Sequence, residues 1–240
     1  MSIDPEKAIV SILSGSALNE DGVLAYELLA AFHRGFSIVH LKRLLESDNE
    51  EVVKCGIWLV SELGSHARPL LAVVSTLLTH RAEEVRFDAL DSILSCATGG
   101  DEAILKKATE RLEDRTASVR WKAMDLLGRA SNDQIEGALR GIQAAAGTQA
   151  AHIDGLRLLL NAQAYTGDLL SMTSDDNAIT RKYAVIAIAR RTDELLDEDD
   201  KLHAATLNRD RDVSQFASGI LTLLRKGSLT EGHRWRWGSN

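Results

Sequence analysis

EEVRFDALDSIL (residues 83–94) and ASVRWKAMDLLG (residues 117–128) carry the same pattern 34 residues apart. Each has a Val-Arg-x-x-Ala core, at 85–89 and 119–123, followed by aliphatic residues at helical spacing. Working outward, three segments align along their whole length: LESDNEEVVKCGIWLVSEL (45–63), LTHRAEEVRFDALDSILSC (78–96) and LEDRTASVRWKAMDLLGRA (112–130). MTSDDNAITRKYAVIAIAR (172–190) and LNRDRDVSQFASGILTLLR (207–225) follow the same plan with one-residue adjustments. The anchors are Val52, Val85, Val119, Thr180 and Val213, at steps of 33, 34, 61 and 33. A step of 61 spans two periods, so a further anchor is expected near Ala151, where AAHIDGLRLLLNA (150–162) keeps the apolar spacing but lacks the polar turn. A degenerate unit is also expected around Asp21, with GVLAYELLAAF (22–32) as its helix.

With the anchor as position zero and about 100° per residue, positions 0, +4, +8 and +11 fall on one side of a helix. They are Val85, Ala89, Ile93 and Cys96 in one copy and Val119, Ala123, Leu127 and Ala130 in the next. The +4 residue is small throughout (Gly56, Ala89, Ala123, Ala184, Ala217), as close helix approach requires. A second amphipathic segment precedes the anchors, for example PLLAVVSTLLTH (69–80) and AILKKATERLED (103–114). Asn49, Thr116, Asn177 and Asp210 stand where the second helices need N-caps. The unit is therefore helix, turn, helix, and one such hairpin cannot bury its own apolar stripe, so neighbours must stack.

On these residues the sequence resembles the HEAT-repeat family, in particular its short bacterial branch, over roughly residues 40–227. The resemblance implies an all-α solenoid of about six to seven hairpins in one continuous domain, 1–240. That domain would hold a degenerate unit at 1–40, clear repeats at 41–227 and a tail at 228–240. One departure concerns the polar ladder: Asp48 and Asp176 lie four before their anchors, but Arg81, Arg115 and Arg209 take that place elsewhere. Regular hydrogen bonding between repeats is therefore not expected.

Composition agrees with helices: 45% apolar residues, 5% aromatics and two prolines argue against a sandwich or barrel. The net charge of −7 points to a neutral or basic protein partner and away from nucleic acid, whose binders carry surplus Lys and Arg. Cys55 and Cys96, each in an apolar helical pattern, read as buried small hydrophobes of a reducing compartment. With no apolar run of membrane-spanning length and no leader pattern, a cytoplasmic chain, monomeric when alone, is expected.

A search for chemistry returns little. The seven histidines form no H-E-x-x-H and no Cys/His cluster, and no Walker A, G-x-G-x-x-G or G-x-S-x-G pattern occurs. No catalytic residue, metal or cofactor is expected. The second helices are more informative, because positions +2 and +6 lie opposite the apolar cluster and should face solvent. There stand Trp58, Phe87 with Asp91, and Trp121 with Asp125; Asp88 and Tyr183 extend the set. Since second helices line the concave face of HEAT-type solenoids, the resemblance implies a stripe of rings and carboxylates suited to partner binding. The alternative is that neighbouring helices cover these rings.

Trp121 and Asp125, at i and i+4, also resemble the Trp and Asp used by helical-repeat alkylpurine DNA glycosylases, but Asp91 holds the same repeat position without a Trp four before it. The acidic balance speaks against that activity as well. DELLDEDD (193–200) reads as a solvated turn or a contact for a basic partner, and RKGSLTEGHRWRWGSN (225–240) as a cover for the last apolar edge. The function expected is protein binding without turnover. Its sharpest form is an immunity or antitoxin-type inhibitor of a basic toxin, and the alternatives are an assembly adaptor or a regulatory subunit of a lyase-like enzyme.

Overall fold

The computed structural model describes residues 4–15, 23–145, 147, 149–192 and 198–227. Among them there is no strand, and the chain is a series of stacked helical hairpins, as the repeat step predicts. Packing divides it into two compact units, Met1–Ala97 and Thr98–Asn240.

In the first unit, hairpins pair α1 (Pro5–Leu13) with α2 (Val23–His33), and α3 (Lys42–Leu45), extended by a 3-10 turn at Ile38–Leu41, with α4 (Glu50–Glu62). The third pairs α5 (Leu71–Leu77), preceded by a 3-10 stretch Gly64–Leu70, with α6 (Glu83–Cys96). The expected degenerate unit is therefore a true hairpin, although Asp21 and Gly22 lie outside the described residues. Packing is regular: α1, α3 and α5 stack in one layer, and α2, α4 and α6 in the other. Val52, Val85 and Ala89 are fully buried between the layers. A Cβ on Gly56 would stand 2.8 Å from that of Leu44, so the small +4 residue lets α4 lie against α3.

The second unit starts regularly, with α7 (Glu102–Thr109, extended by a 3-10 turn Glu110–Glu113) and α8 (Ala117–Arg129). It continues through α9 (Asn132–Gln143), α10 (Ala150–Leu160), α11 (Leu169–Met172), α12 (Ala178–Thr192), α13 (Glu198–Ala205) and α14 (Arg211–Gly227). The stacking then departs from the simple order. α10 packs on α9 and α12, while α8 packs directly on α12 and on α14, and α12 on α14. The degenerate copy around Ala151 thus contributes α10 without interrupting a cluster of three second helices. Those helices are held so tightly that α8 buries Lys122, Met124 and Asp125 as well as its apolar stripe.

The expected caps form at Asn49, Asn177 and Asp210, whose side chains accept from the backbone N–H groups of Glu51, Ile179 and Asp212 at 3.0, 2.8 and 2.9 Å. Thr116 occupies the cap position of α8 but makes no side-chain cap bond there; the Asp114 carboxylate instead accepts from the Thr116 N–H at 2.9 Å. A polar ladder exists after all, carried by the arginine one residue past the anchor. The Arg86 guanidinium donates to the carbonyls of His80 and Arg81, and that of Arg181 to those of Asp175 and Asp176, closing the turn before each second helix. Arg181 also reaches forward to Asp210 of the next repeat at 2.7 Å.

Close approach recurs at Gly155 of α10, where an added Cβ would lie 2.1 Å from the Tyr183 ring. Gly155→Ala should therefore destabilise the fold by about 1–3 kcal/mol despite alanine's better helix propensity, because a packed core resists added volume. Thermal unfolding checks this, and an unchanged or raised midpoint would mean that the α10–α12 contact is looser than described.

Candidate functional site

The seven residues expected on one solvent-facing stripe fall into two environments. In the first unit, Trp58 on α4 and Phe87, Asp88 and Asp91 on α6 are all half-buried, and α4 packs on α6. Their outer faces also carry Glu51 and Glu84, and Lys54 bridges the two helices by pairing with Glu50, Glu51 and Glu84 at 3.4, 3.0 and 3.9 Å. Glu50 in turn accepts from Arg81 at 2.6 Å, and these contacts hold its carboxyl below the ordinary value although burial works the other way. Tyr26 of α2 joins the set: it is 63% exposed and meets Trp58 edge to face, ring centroids 5.1 Å apart at 75°. Three consecutive second helices thus present Tyr26, Trp58 and Phe87. Sequence reading passed over Tyr26 because its unit has no Val-Arg anchor from which to count, although the ring stood in the helix assigned to that unit.

In the second unit the expectation of solvent exposure fails. Asp125 is 3% exposed and paired with Lys122 at 3.2 Å and Arg129 at 3.5 Å, and Tyr183 is completely buried. Trp121 is half-covered by α14: its ring lies 6.1 Å from that of Phe216, and its Nε1 would be 3.1 Å from a Cβ on Gly219. The physical reason is the α8–α12–α14 cluster, which puts a helix over the side of α8 that a two-neighbour stack would leave open. An ion pair fixes the cluster. The Arg120 guanidinium donates two hydrogen bonds to Asp212 at 2.7 and 2.8 Å, and Lys182 pairs with the same carboxylate at 3.2 Å. Burial opposes ionisation of Asp212, but the bonds from Arg120 and the charge of Lys182 outweigh it and hold the carboxyl below its usual range. At the far end, the Arg190 guanidinium donates to the carbonyls of Leu127, Gly128 and Ala130, closing the C-terminus of α8. Burial lowers its pKa to about 10.

Tyr183 meets His152 of α10, oxygen to Nδ1, at 3.1 Å, and Nε2 of the same ring lies 3.5 Å from Glu113. Burial drives the Tyr183 phenol well above its ordinary pKa and the His152 imidazole below its own, against the pull of Glu113. Burial likewise pushes the thiols of Cys55 and Cys96 up to about 11. Among the described residues no group of three or more His, Cys, Asp or Glu could hold a metal ion, and no helix is long and apolar enough to cross a membrane. The acidic run at 193–197 and the Trp-Arg tail at 228–240 lie outside the described residues.

Stacked helical hairpins with an exposed row of rings define a helical-repeat protein. No family model matches the sequence, and no curated protein does. Among solved structures, the chain is similar to a designed armadillo repeat protein in complex with the peptide (KR)4, at 17% identity over 92% of this chain and 99% of that one, TM-score 0.51. It is similar to computationally designed armadillo repeat proteins for modular peptide recognition, at 16% identity over 91% and 99%, TM-score 0.51. An archaeal HEAT-like repeats protein from Thermococcus onnurineus NA1 aligns at 12% identity over 93% and 98%, TM-score 0.49. The first two establish a helical-repeat fold.

The buried His152 makes acid stability a direct check of this interior. Its folded pKa lies below the ordinary 6.5, so under acid the unfolded chain binds the proton more readily. The stabilisation is complete above about pH 6.5 and is lost as the pH falls from there through the folded value. Urea unfolding between pH 7.5 and 5 should show this decline, with a smaller slope in His152→Gln. Equal slopes in the two proteins would place His152 in a solvated site.

Proposed function

We propose that the chain is a non-catalytic protein-binding module whose contact face is the outer side of α2, α4 and α6. The observation that carries this reading is the row of accessible rings, Tyr26, Trp58 and Phe87, set among carboxylates in the first unit. Large rings held partly exposed at successive repeat positions are what interface hot spots are made of, and they add little to the core. Charge supports a basic partner. Residues 1–97 hold 14 Asp and Glu against 8 Lys and Arg, a net −6, while residues 98–240 hold 21 against 20, a net −1, so nearly all the excess acid lies in the unit with the open rings. The fold likeness to peptide-recognising armadillo designs is compatible with this use of the surface. Glycosylase-type chemistry has no support, since Asp125 is buried in its own ion pairs.

In its specific form the module is an inhibitor: an acidic face of this kind can occupy the phosphate-seeking site of a basic toxin, as an immunity protein does. An adaptor or a regulatory subunit would use the same face without blocking a catalytic site. The protein acts in the cytoplasm and is monomeric when alone.

A photo-reactive residue at Asp91, with Arg129 as the control position, identifies the partner, and titration of the purified partner then tests the face. Trp58→Ala and Phe87→Ala should each weaken the complex about thirtyfold, or about 2 kcal/mol, with little change in melting temperature. Trp121→Ala should do the reverse, lowering the melting temperature by several degrees while leaving the affinity per folded molecule unchanged. Full affinity in both first-unit variants would move the binding surface elsewhere.

A further inference from the structure

The Tyr26–Trp58 pair shows which chemical group the face accepts. Position 58 extends the ring surface from α4, and α2 sets an exposed phenol against it in an edge-to-face pair. Aromatic faces are regions of negative potential, and an adjoining cation is drawn to them. Two carboxylates adjoin the pair in the sequence of its helices. Glu27 follows Tyr26 on the exposed side of α2, and Glu62 lies one turn beyond Trp58 on α4; both are exposed, and neither forms an ion pair among the described residues. Lys54, one turn before Trp58, is already engaged by Glu50, Glu51 and Glu84. The charge of Lys54 is thus spent on other carboxylates, and Glu27 and Glu62 are left for a cation from outside.

We propose that Tyr26 and Trp58, flanked by Glu27 and Glu62, form a seat for an arginine or lysine side chain of a basic partner protein. This rests on the reading of the α2–α4–α6 face as the binding surface and assigns the anchor within it. A guanidinium fits on two counts, since it stacks on a ring and donates in-plane hydrogen bonds to carboxylates. The ring pair is already assembled, and both carboxylates stand on the helices that carry it.

The probe is an eight-residue arginine peptide, compared with a citrulline peptide that keeps the shape and removes the charge. The arginine peptide should shift the indole resonance of Trp58, assigned by Trp58→Phe, and the citrulline peptide should not. Tyr26→Ala, which leaves the charge unchanged, should weaken binding at least about threefold, and Tyr26→Phe should restore most of it. Glu27→Gln and Glu62→Gln should each weaken it by about the same factor, whereas Asp154→Asn, which removes one charge from an exposed position in the second unit, should cost little. If Tyr26→Ala binds like the unaltered protein, or if Asp154→Asn costs as much as Glu62→Gln, attraction is diffuse and the seat does not exist. The natural partner separates this outcome from failure of the wider reading. Affinity lost in Trp58→Ala and Phe87→Ala but kept in Tyr26→Ala and Glu62→Gln sinks the cation seat alone, and affinity kept in all four removes the face itself.

Discussion

Asp212 organises the second unit. It stands in the first turn of α14 and takes two hydrogen bonds from Arg120 at the start of α8 and an ion pair from Lys182 at the start of α12. Three second helices are thereby tied at their N-terminal ends by one carboxylate, where aligned helix dipoles also favour negative charge. The carboxylate is itself largely buried, so its worth lies in the partners it satisfies. Removing one member of such a group typically costs about 3–5 kcal/mol because the other charges stay behind without compensation. Once α8, α12 and α14 are tied together, the flanks of α8 are covered, and residues that a plain stack would display become interior. Among the described residues the first unit shows no such hub; α4 lies between α2 and α6, and the outer face of these helices stays open.

This difference explains how much of the molecule was legible in the sequence. The hairpin and its period could be read because Val85, Ala89, Val119 and Ala123 recur at a spacing that only stacked helices require, and all four are fully buried. Three of the four caps followed from residue type and position alone. The solvent-facing assignment of Asp125 and Tyr183 failed because a helical wheel reports which side is apolar, not how many helices surround it. Lys122 and Asp125 neutralise each other inside the fold, so their polarity mimics a solvated face. A warning was present in the fourth copy: Tyr183 is followed by AVIAIA (184–189), an unbroken run of small and aliphatic residues that suits a helix enclosed on every side.

The ladder was misread for a related reason. Four residues before the anchors stand two Asp and three Arg, a mixture that suggests no regular bonding between repeats. The working residue is the arginine just after the anchor, whose long side chain folds back to the turn carbonyls and, at Arg120 and Arg181, continues to a carboxylate on another hairpin. Those carbonyls precede a helix start and have no partner within the helix, so a multidentate cation meets a need that the backbone itself creates. Where the arginine is absent, as at Val53, the carboxylate of Glu50 receives Arg81 from the following turn instead. Within each unit, hairpins are thus joined by ion pairs of two different geometries.

The two units divide the demands made on their charges. In the second, 21 acidic residues nearly match 20 basic ones, and several of these pairs are spent on holding helices together. In the first, acidic residues outnumber basic ones by six, and their mutual repulsion is a standing cost to folding. A surface under stability selection alone would tend to lose that surplus, because mixed charge is cheaper to fold. On the proposed reading, docking of a cationic surface would offset that cost, and the same field would speed the encounter. Acid excess and accessible rings coincide on α2, α4 and α6, where the packing is regular and helices are left open, so the plain geometry of the first unit is what leaves the surface available to a partner.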